Sequence, residues 1–256
     1  MSRIKELFAM KSKGVLNVYF TAGYPTLTST LEIMQSLQHA GVDLIELGMP
    51  YSDPLADGPV IQESSLAALE NGMTIAKLFE QLKGFREKIH VPVVLMGYMN
   101  PVLQYGFEKF CSDAAAAGID GLILPDLPAL EFEQSYGQVV RHHGLDFVFL
   151  VTPETSEERV RKLDALSTGF LYAVSSSSTT GKEKNFDHVI AYLKRLQSYG
   201  LSNPVLVGFG IKDKETFETV APYANGAIIG SAFIKALTPE KSPAASTTSF
   251  INAVLN

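Results

Sequence analysis

Short runs of β-branched and aromatic residues recur along the whole chain: VLNVYF, DLIEL, VPVVLM, DGLIL, DFVFLV, GFLYAV, PVLVGF and GAIIG, eight candidate strands in all. Several are apolar at nearly every position rather than at every second one. A strand reads that way when both faces of its sheet are covered, which favours parallel pairing. Between the runs, apolar residues recur at helical spacing in STLEIMQSLQHAG, TIAKLFEQLKGFREK, GFEKFCSDAAAAG, LEFEQSYGQVVRHHG and DHVIAYLKRLQSYG. Most of these end on glycine, a common helix stop. Thr155 with Glu158 makes a capping-box pattern ahead of one helix, and Asp213 is a candidate cap for the helix after GFGI. MSRIKELFAMKSKG predicts a short amphipathic helix at the start of the chain, and SPAASTTSF is expected to precede a final helix.

Eight β/α units in 256 residues match the size of a closed (β/α)₈ TIM barrel of the α/β class, with an extra N-terminal helix and residues 1–256 in one domain. A doubly wound open sheet is the alternative. Such a sheet commonly carries G-x-G-x-x-G after an early strand, and no strand end here supplies it. No Pro/Ser-rich linker or shift in composition divides the chain.

Composition narrows the class of function. An apolar content of 46% is enough to fill a sizeable core. The net charge of -6 leaves no basic excess for tracking phosphates, which argues against a nucleic-acid partner. The single cysteine, Cys111, has no partner for an internal disulfide and reads as a small buried apolar side chain. No apolar run approaches the roughly 18 to 20 residues that cross a bilayer, and the N-terminus lacks a signal-peptide block. A soluble protein of the reducing cytoplasm is expected. His39, His90, His142, His143 and His188 show no metal-ligand spacing, so no metal site is predicted.

In a parallel barrel, function gathers at the C-terminal strand ends and the loops that follow. Two carboxylates stand there: Glu46 inside the apolar strand LIEL, and Asp57 in the loop GMPYSDPLADGP. Alternation puts Leu44 and Glu46 on one face and Ile45 and Leu47 on the other. A carboxylate against the helix layer is costly, so the barrel mouth is the cheaper location for Glu46, and partial burial there raises its pKa. Both residues keep a structural alternative. Glu46 could be held by a buried arginine or strand-end amides, and Asp53 and Asp57 could organise turns in a loop stiffened by Pro50, Pro54 and Pro59. Glycines after the last three strands, Gly181, Gly208, Gly210 and Gly230 with Ser231, suit a phosphate cradled by backbone N–H groups. Tyr19, Tyr98 and Tyr172, at or near strand ends, could line a flat aromatic pocket or pack in the barrel core.

The segment IELGMPYSDPLADGPVIQ resembles the signature of the tryptophan synthase alpha chain family. The likeness extends through YFTAGYP, MGYMNPVLQYG, GLILPDLP, FLYAVSSSSTTG, VGFGI and GAIIGSAF. It implies a lyase that splits indole-3-glycerol phosphate into indole and glyceraldehyde 3-phosphate by a retro-aldol reaction, with neither metal nor organic cofactor in this chain. By the resemblance, Glu46 moves the proton and Asp57 bonds the indole N–H. Tyr19, Met96, Ile123 and Tyr172 fall where the indole pocket is expected, and Gly181, Gly210, Gly230 and Ser231 fall on the phosphate turns. The family further implies a beta-chain partner carrying pyridoxal phosphate, in an α2β2 assembly. Pro50, Asp53, Asn100 and Asp126 resemble the contact surface for it. One departure stands out. Many relatives carry an arginine before the Thr-Gly of the sixth loop, whereas this chain reads Ser175-Ser176-Ser177-Ser178-Thr179-Thr180-Gly181. Thr180 is retained and is expected to reach Asp57 when that loop closes. Two rivals are another phosphate-binding barrel, such as an isomerase or epimerase, and a catalytically weak chain that activates its beta partner.

Overall fold

A computed structural model describes residues 2–175, 186–208, 210–238 and 241–256. All eight apolar runs are strands in it: β1 (Val15–Thr21), β2 (Leu44–Gly48), β3 (Val93–Met96), β4 (Gly121–Ile123), β5 (Asp146–Val151), β6 (Leu171–Val174), β7 (Val205–Gly208) and β8 (Gly226–Ile229). Each pairs in parallel with the next, and β1 pairs with β8, so the sheet closes into a barrel with no free edge. The expected closed barrel is therefore the fold, and the open-sheet alternative falls.

Two apolar layers hold it. Val18, Ile45, Leu47, Leu95 and Val207 point outward and pack under the helices. Val15, Leu44, Val94, Val148, Leu206 and Ile228 fill the interior. Each such side chain contributes roughly 1.5–3 kcal/mol on burial. The N-terminal helix Arg3–Met10 turns Ile4 and Leu7 into this interior, where they join Phe170 and close the barrel floor. Above the helix start, Arg3 Nη1 lies 2.9 Å from Asp120 Oδ1, while Arg86 holds Oδ2, which also accepts the Val93 N–H at 2.7 Å.

The helix ends follow local chemistry, with three departures from the expected pattern. TIAKLFEQLKGFREK breaks in two, Ile75–Gln81 and the 3₁₀ turn Phe85–Glu87, because Gly84 takes a left-handed φ of 72°. The helix Glu157–Leu166 is capped by Ser156, whose Oγ accepts the Arg159 N–H, and not by Thr155, whose hydroxyl turns back to the Thr152 N–H. SPAASTTSF does not precede the last helix but forms most of it, since Ser242 caps Pro243–Leu255. Asp213 caps Lys214–Val220 as expected, with Thr216 completing a reciprocal box.

Candidate active site

The C-terminal ends of the strands open onto a cavity of about 1020 Å³. Its walls include Tyr19, Glu46, Asp57, Met96, Tyr172, Gly210, Gly230 and Ser231. Eight of the residues singled out from sequence thus meet at one mouth.

Glu46 is the third residue of β2, on the inner face that it shares with Leu44, while Ile45 and Leu47 belong to the outer layer. It is fully buried. Oε2 accepts a hydrogen bond from Asn17 Nδ2 at 2.8 Å, and Oε1 has no partner among the described residues. Burial outweighs that hydrogen bond and pushes the carboxyl up to about 8, with the nearby Asp57 charge adding to the rise.

Asp57 stands in the loop between β2 and the helix Pro59–Glu70. Its N–H donates to Pro54 O at 3.0 Å, and the Gln62 amide donates to its carbonyl at 2.9 Å, so its backbone is held on both sides. Oδ2 accepts the Tyr98 hydroxyl at 2.9 Å. Here too burial prevails over the hydrogen bond, and the carboxyl rises to about 6. Burial raises the phenols of Tyr19 and Tyr172 well above their usual range, so both remain neutral O–H donors in the cavity.

Two glycines make room for those rings. A Cβ on Gly48 would lie 2.2 Å from the Tyr19 hydroxyl, and one on Gly208 would lie 2.3 Å from the Tyr172 ring. Gly208 therefore has a packing reason of its own, apart from any anion. The phosphate-side residues Gly210, Gly230 and Ser231 are joined on the cavity wall by Lys212 and Lys235, which the glycine pattern does not disclose.

The remaining expectations divide. Ile123 is fully buried within the inner apolar cluster and is not among the cavity-lining residues. Thr180 and Gly181, with the arginine-free stretch from Ser176, lie outside the described residues. Pro50 is half-buried, whereas Asp53 and Asp126, on the loops after β2 and β4, and Asn100, in the first turn of the helix Met99–Tyr105, are exposed. Asn100 Nδ2 donates to the Tyr51 hydroxyl at 3.0 Å, and both Asp126 oxygens lie 3.0 Å from the Met99 N–H. These contacts tie the loops after β2 and β4 to the start of that helix. Among the described residues, no group of three or more His, Cys, Asp or Glu side chains is arranged to hold a metal ion. No helix of the described residues is long and apolar enough to cross a membrane. Sequence reasoning missed Asn17 and the bond from Tyr98 to Asp57. The signal for Asn17 was present, a lone amide in the apolar run VLNVYF with the same parity as Tyr19.

A closed parallel barrel whose mouth gathers two carboxyls, neutral phenols and glycine turns is the architecture of a barrel enzyme, with groups suited to acid/base chemistry. The profile of the tryptophan synthase alpha chain family matches residues 6–254. Among similar curated proteins, the tryptophan synthase alpha chain of Flavobacterium psychrophilum is 53% identical over 93% of this chain and 94% of its own length. That of Parabacteroides distasonis is 48% identical over 99% of each. Among solved structures, tryptophan synthase subunit alpha from Legionella pneumophila superposes with a TM-score of 0.90 at 34% identity, covering 99% of this chain and 97% of that one. The chain belongs to the tryptophan synthase alpha chain family. It is accordingly a lyase of that type, whose reaction is the cleavage of indole-3-glycerol phosphate, and pyridoxal phosphate belongs to the beta chain that partners it.

Proposed function

We propose that Glu46 and Asp57 divide the acid/base work of indole-3-glycerol phosphate cleavage. The observation carrying this reading is that two carboxyls in unequal surroundings line one cavity, Glu46 fully buried on β2 and Asp57 part-buried and bonded to the Tyr98 hydroxyl. With Glu46 near 8 and Asp57 near 6, the first is mostly acid and the second mostly carboxylate. Glu46 gives its proton to carbon 3 of the indole, which leaves the ring cationic. The Asp57 carboxylate accepts the indole N–H and stabilises that charge. Glu46, now a carboxylate, takes the proton of the hydroxyl on the neighbouring carbon. The carbon–carbon bond breaks, its electron pair returns to the ring, and the hydroxyl carbon becomes the aldehyde of glyceraldehyde 3-phosphate. The proton count closes on one residue.

Tyr19, Met96 and Tyr172 flank the flat ring, while Ile123 supports it from the packed interior. Backbone N–H groups at Gly210, Gly230 and Ser231 receive the phosphate. Pro50, Asp53, Asn100 and Asp126 face the beta chain in an α2β2 assembly. The exposed Leu55 on the β2 loop, Leu103 in the helix Met99–Tyr105 and Leu130 in the short helix Ala129–Glu131 support a protein-covered surface there. Residues 1–256 act as one barrel domain in the cytoplasm.

The test is indole release from indole-3-glycerol phosphate by the purified chain, alone and with a beta chain, beside Glu46→Gln. A loss of about 100-fold or more in the variant is expected. Near-full activity in Glu46→Gln would remove the role given to Glu46.

A further inference from the structure

Asn17 sits on the inner face of β1 between Val15 and Tyr19, fully buried, with Leu44 and Ile228 as its register neighbours on β2 and β8. An amide in that apolar layer is costly unless its polar atoms are satisfied. Only part of it is: Nδ2 donates to Glu46 Oε2 at 2.8 Å, while Oδ1 has no partner among the described residues. A valine or leucine would fill the layer without that cost. The contact with Glu46 is what the amide gains there. Asn17 is not among the cavity-lining residues, so it acts through Glu46 and not on substrate.

We infer that Asn17 is a positioning residue for the reaction: its amide N–H, held on Oε2, keeps the transferable proton of Glu46 on Oε1 and fixes the side chain in one rotamer. This rests on the role proposed for Glu46. The carbonyl oxygen of a neutral carboxyl is a better acceptor than its hydroxyl oxygen, so the N–H on Oε2 favours the form of Glu46 with its carbonyl at Oε2 and its O–H at Oε1. Oε1 is the oxygen left for the substrate. Once the proton has gone, the same N–H stabilises the carboxylate and opposes the rise caused by burial. Asn17 thus orients the acid and also eases its ionisation. The titratable groups whose charges couple to Glu46 are Tyr19 from β1, Asp57 from the β2 loop and Tyr172 from β6. The inner faces of β3 and β8 present Val94, Met96 and Ile228, none of which titrates.

The test is Asn17→Leu, close to asparagine in shape and without a donor, assayed with a beta chain across pH. We expect kcat to fall about tenfold with KM changed less than about twofold. The alkaline limb of the rate profile is expected to move up by about one pH unit, because the carboxylate has lost its donor. A merely structural role would lower activity without moving that limb upward. A folded variant whose limb stays in place or moves down overturns the inference. If Asn17→Leu does not fold, the wild-type protein decides by NMR with ¹⁵N-labelled asparagine. The Asn17 side-chain amide should titrate with Glu46 and lose that titration in Glu46→Gln. An Asn17 amide that ignores pH overturns the inference. Should the amide titrate while Glu46→Gln remains active, the coupling stands and the role proposed for Glu46 is what fails.

Discussion

The Tyr98 hydroxyl donates to Asp57 Oδ2 at 2.9 Å and accepts the Ala56 N–H at 3.0 Å, so a single ring beyond β3 anchors two successive residues of the β2 loop. Tyr51 packs against that ring at 5.4 Å between centroids. Of the carboxylate and carboxylic acid forms, the hydrogen bond favours the first, and it offsets part of the burial that raises Asp57 to about 6. Tyr98→Phe keeps the packing and removes the donor. Asp57 should then ionise only at higher pH, and the acid limb of kcat/KM should move up by about half a pH unit or more. An acid limb that stays where it is in Tyr98→Phe would show that the phenol holds the loop without tuning the carboxyl.

The two carboxyls together set a wider pH dependence. Below about 6 Asp57 loses its charge, and above about 8 Glu46 loses its proton. The rate of indole release should therefore follow a bell with limbs near those values. A rate that keeps climbing well beyond pH 8 would mean that Glu46 starts the reaction as a carboxylate, with the order of its two proton transfers reversed.

Much of this was legible in the chain. The apolar runs of β1 to β8 and the parity of Leu44 and Glu46 follow from covered sheet faces and a period of two, both of which are local properties. What stayed hidden was non-local. Tyr98 and Asp57 are 41 positions apart, and Asn17 and Glu46 are 29 apart, so only the folded barrel brings either pair together. Gly208 read as a phosphate glycine because it ends a late strand, yet its missing side chain is occupied by the Tyr172 ring. Thr155 read as a helix cap because the box pattern tolerates a shift of one residue, and Ser156 took the position.

The paired glycines lead to a packing prediction. Neither Gly48 nor Gly208 has a left-handed φ, so alanine is acceptable to the backbone at both positions. The clash is with the ring: at 2.2 Å from the Tyr19 hydroxyl and 2.3 Å from the Tyr172 ring, a methyl group must displace it. Gly48→Ala and Gly208→Ala should each cost about 1–3 kcal/mol of stability and lower kcat/KM by about tenfold or more. Crystal structures of the variants would show the rings moved. Unmoved rings with full activity would contradict the tight fit.

At the other end of the barrel, stability and catalysis separate. Asp120 is nearly inaccessible and is shared by Arg3, Arg86 and the Val93 N–H, far from the mouth. Asp120→Ala leaves the Arg86 guanidinium, itself only 16% exposed, without its counter-charge. A loss of about 3–5 kcal/mol is expected, the range for breaking a buried pair. Chemical denaturation should register it, while kcat at a temperature where the variant is folded should stay close to wild type. A large fall in kcat would mean that the floor network communicates with the mouth.

The burial of Glu46 that equips it for proton transfer should also weaken the fold in alkali. Its carboxyl ordinarily ionises near 4.5 and in the folded chain near 8, so between those values the folded state binds more protons than the unfolded one. Stability from this residue is complete below about 4.5, declines as pH rises, and is lost by about 8. The loss is on the order of a few kcal/mol. Glu46→Gln retains the shape and still offers Asn17 a carbonyl oxygen, but it cannot ionise. Its Tm should therefore gain on that of the wild type steadily from pH 5 to pH 8, reaching several degrees, and the gap should level off beyond. Parallel Tm curves across that range would mean that the Glu46 carboxyl is solvated and near its ordinary pKa, and the acid proposed for carbon 3 would have to be another group.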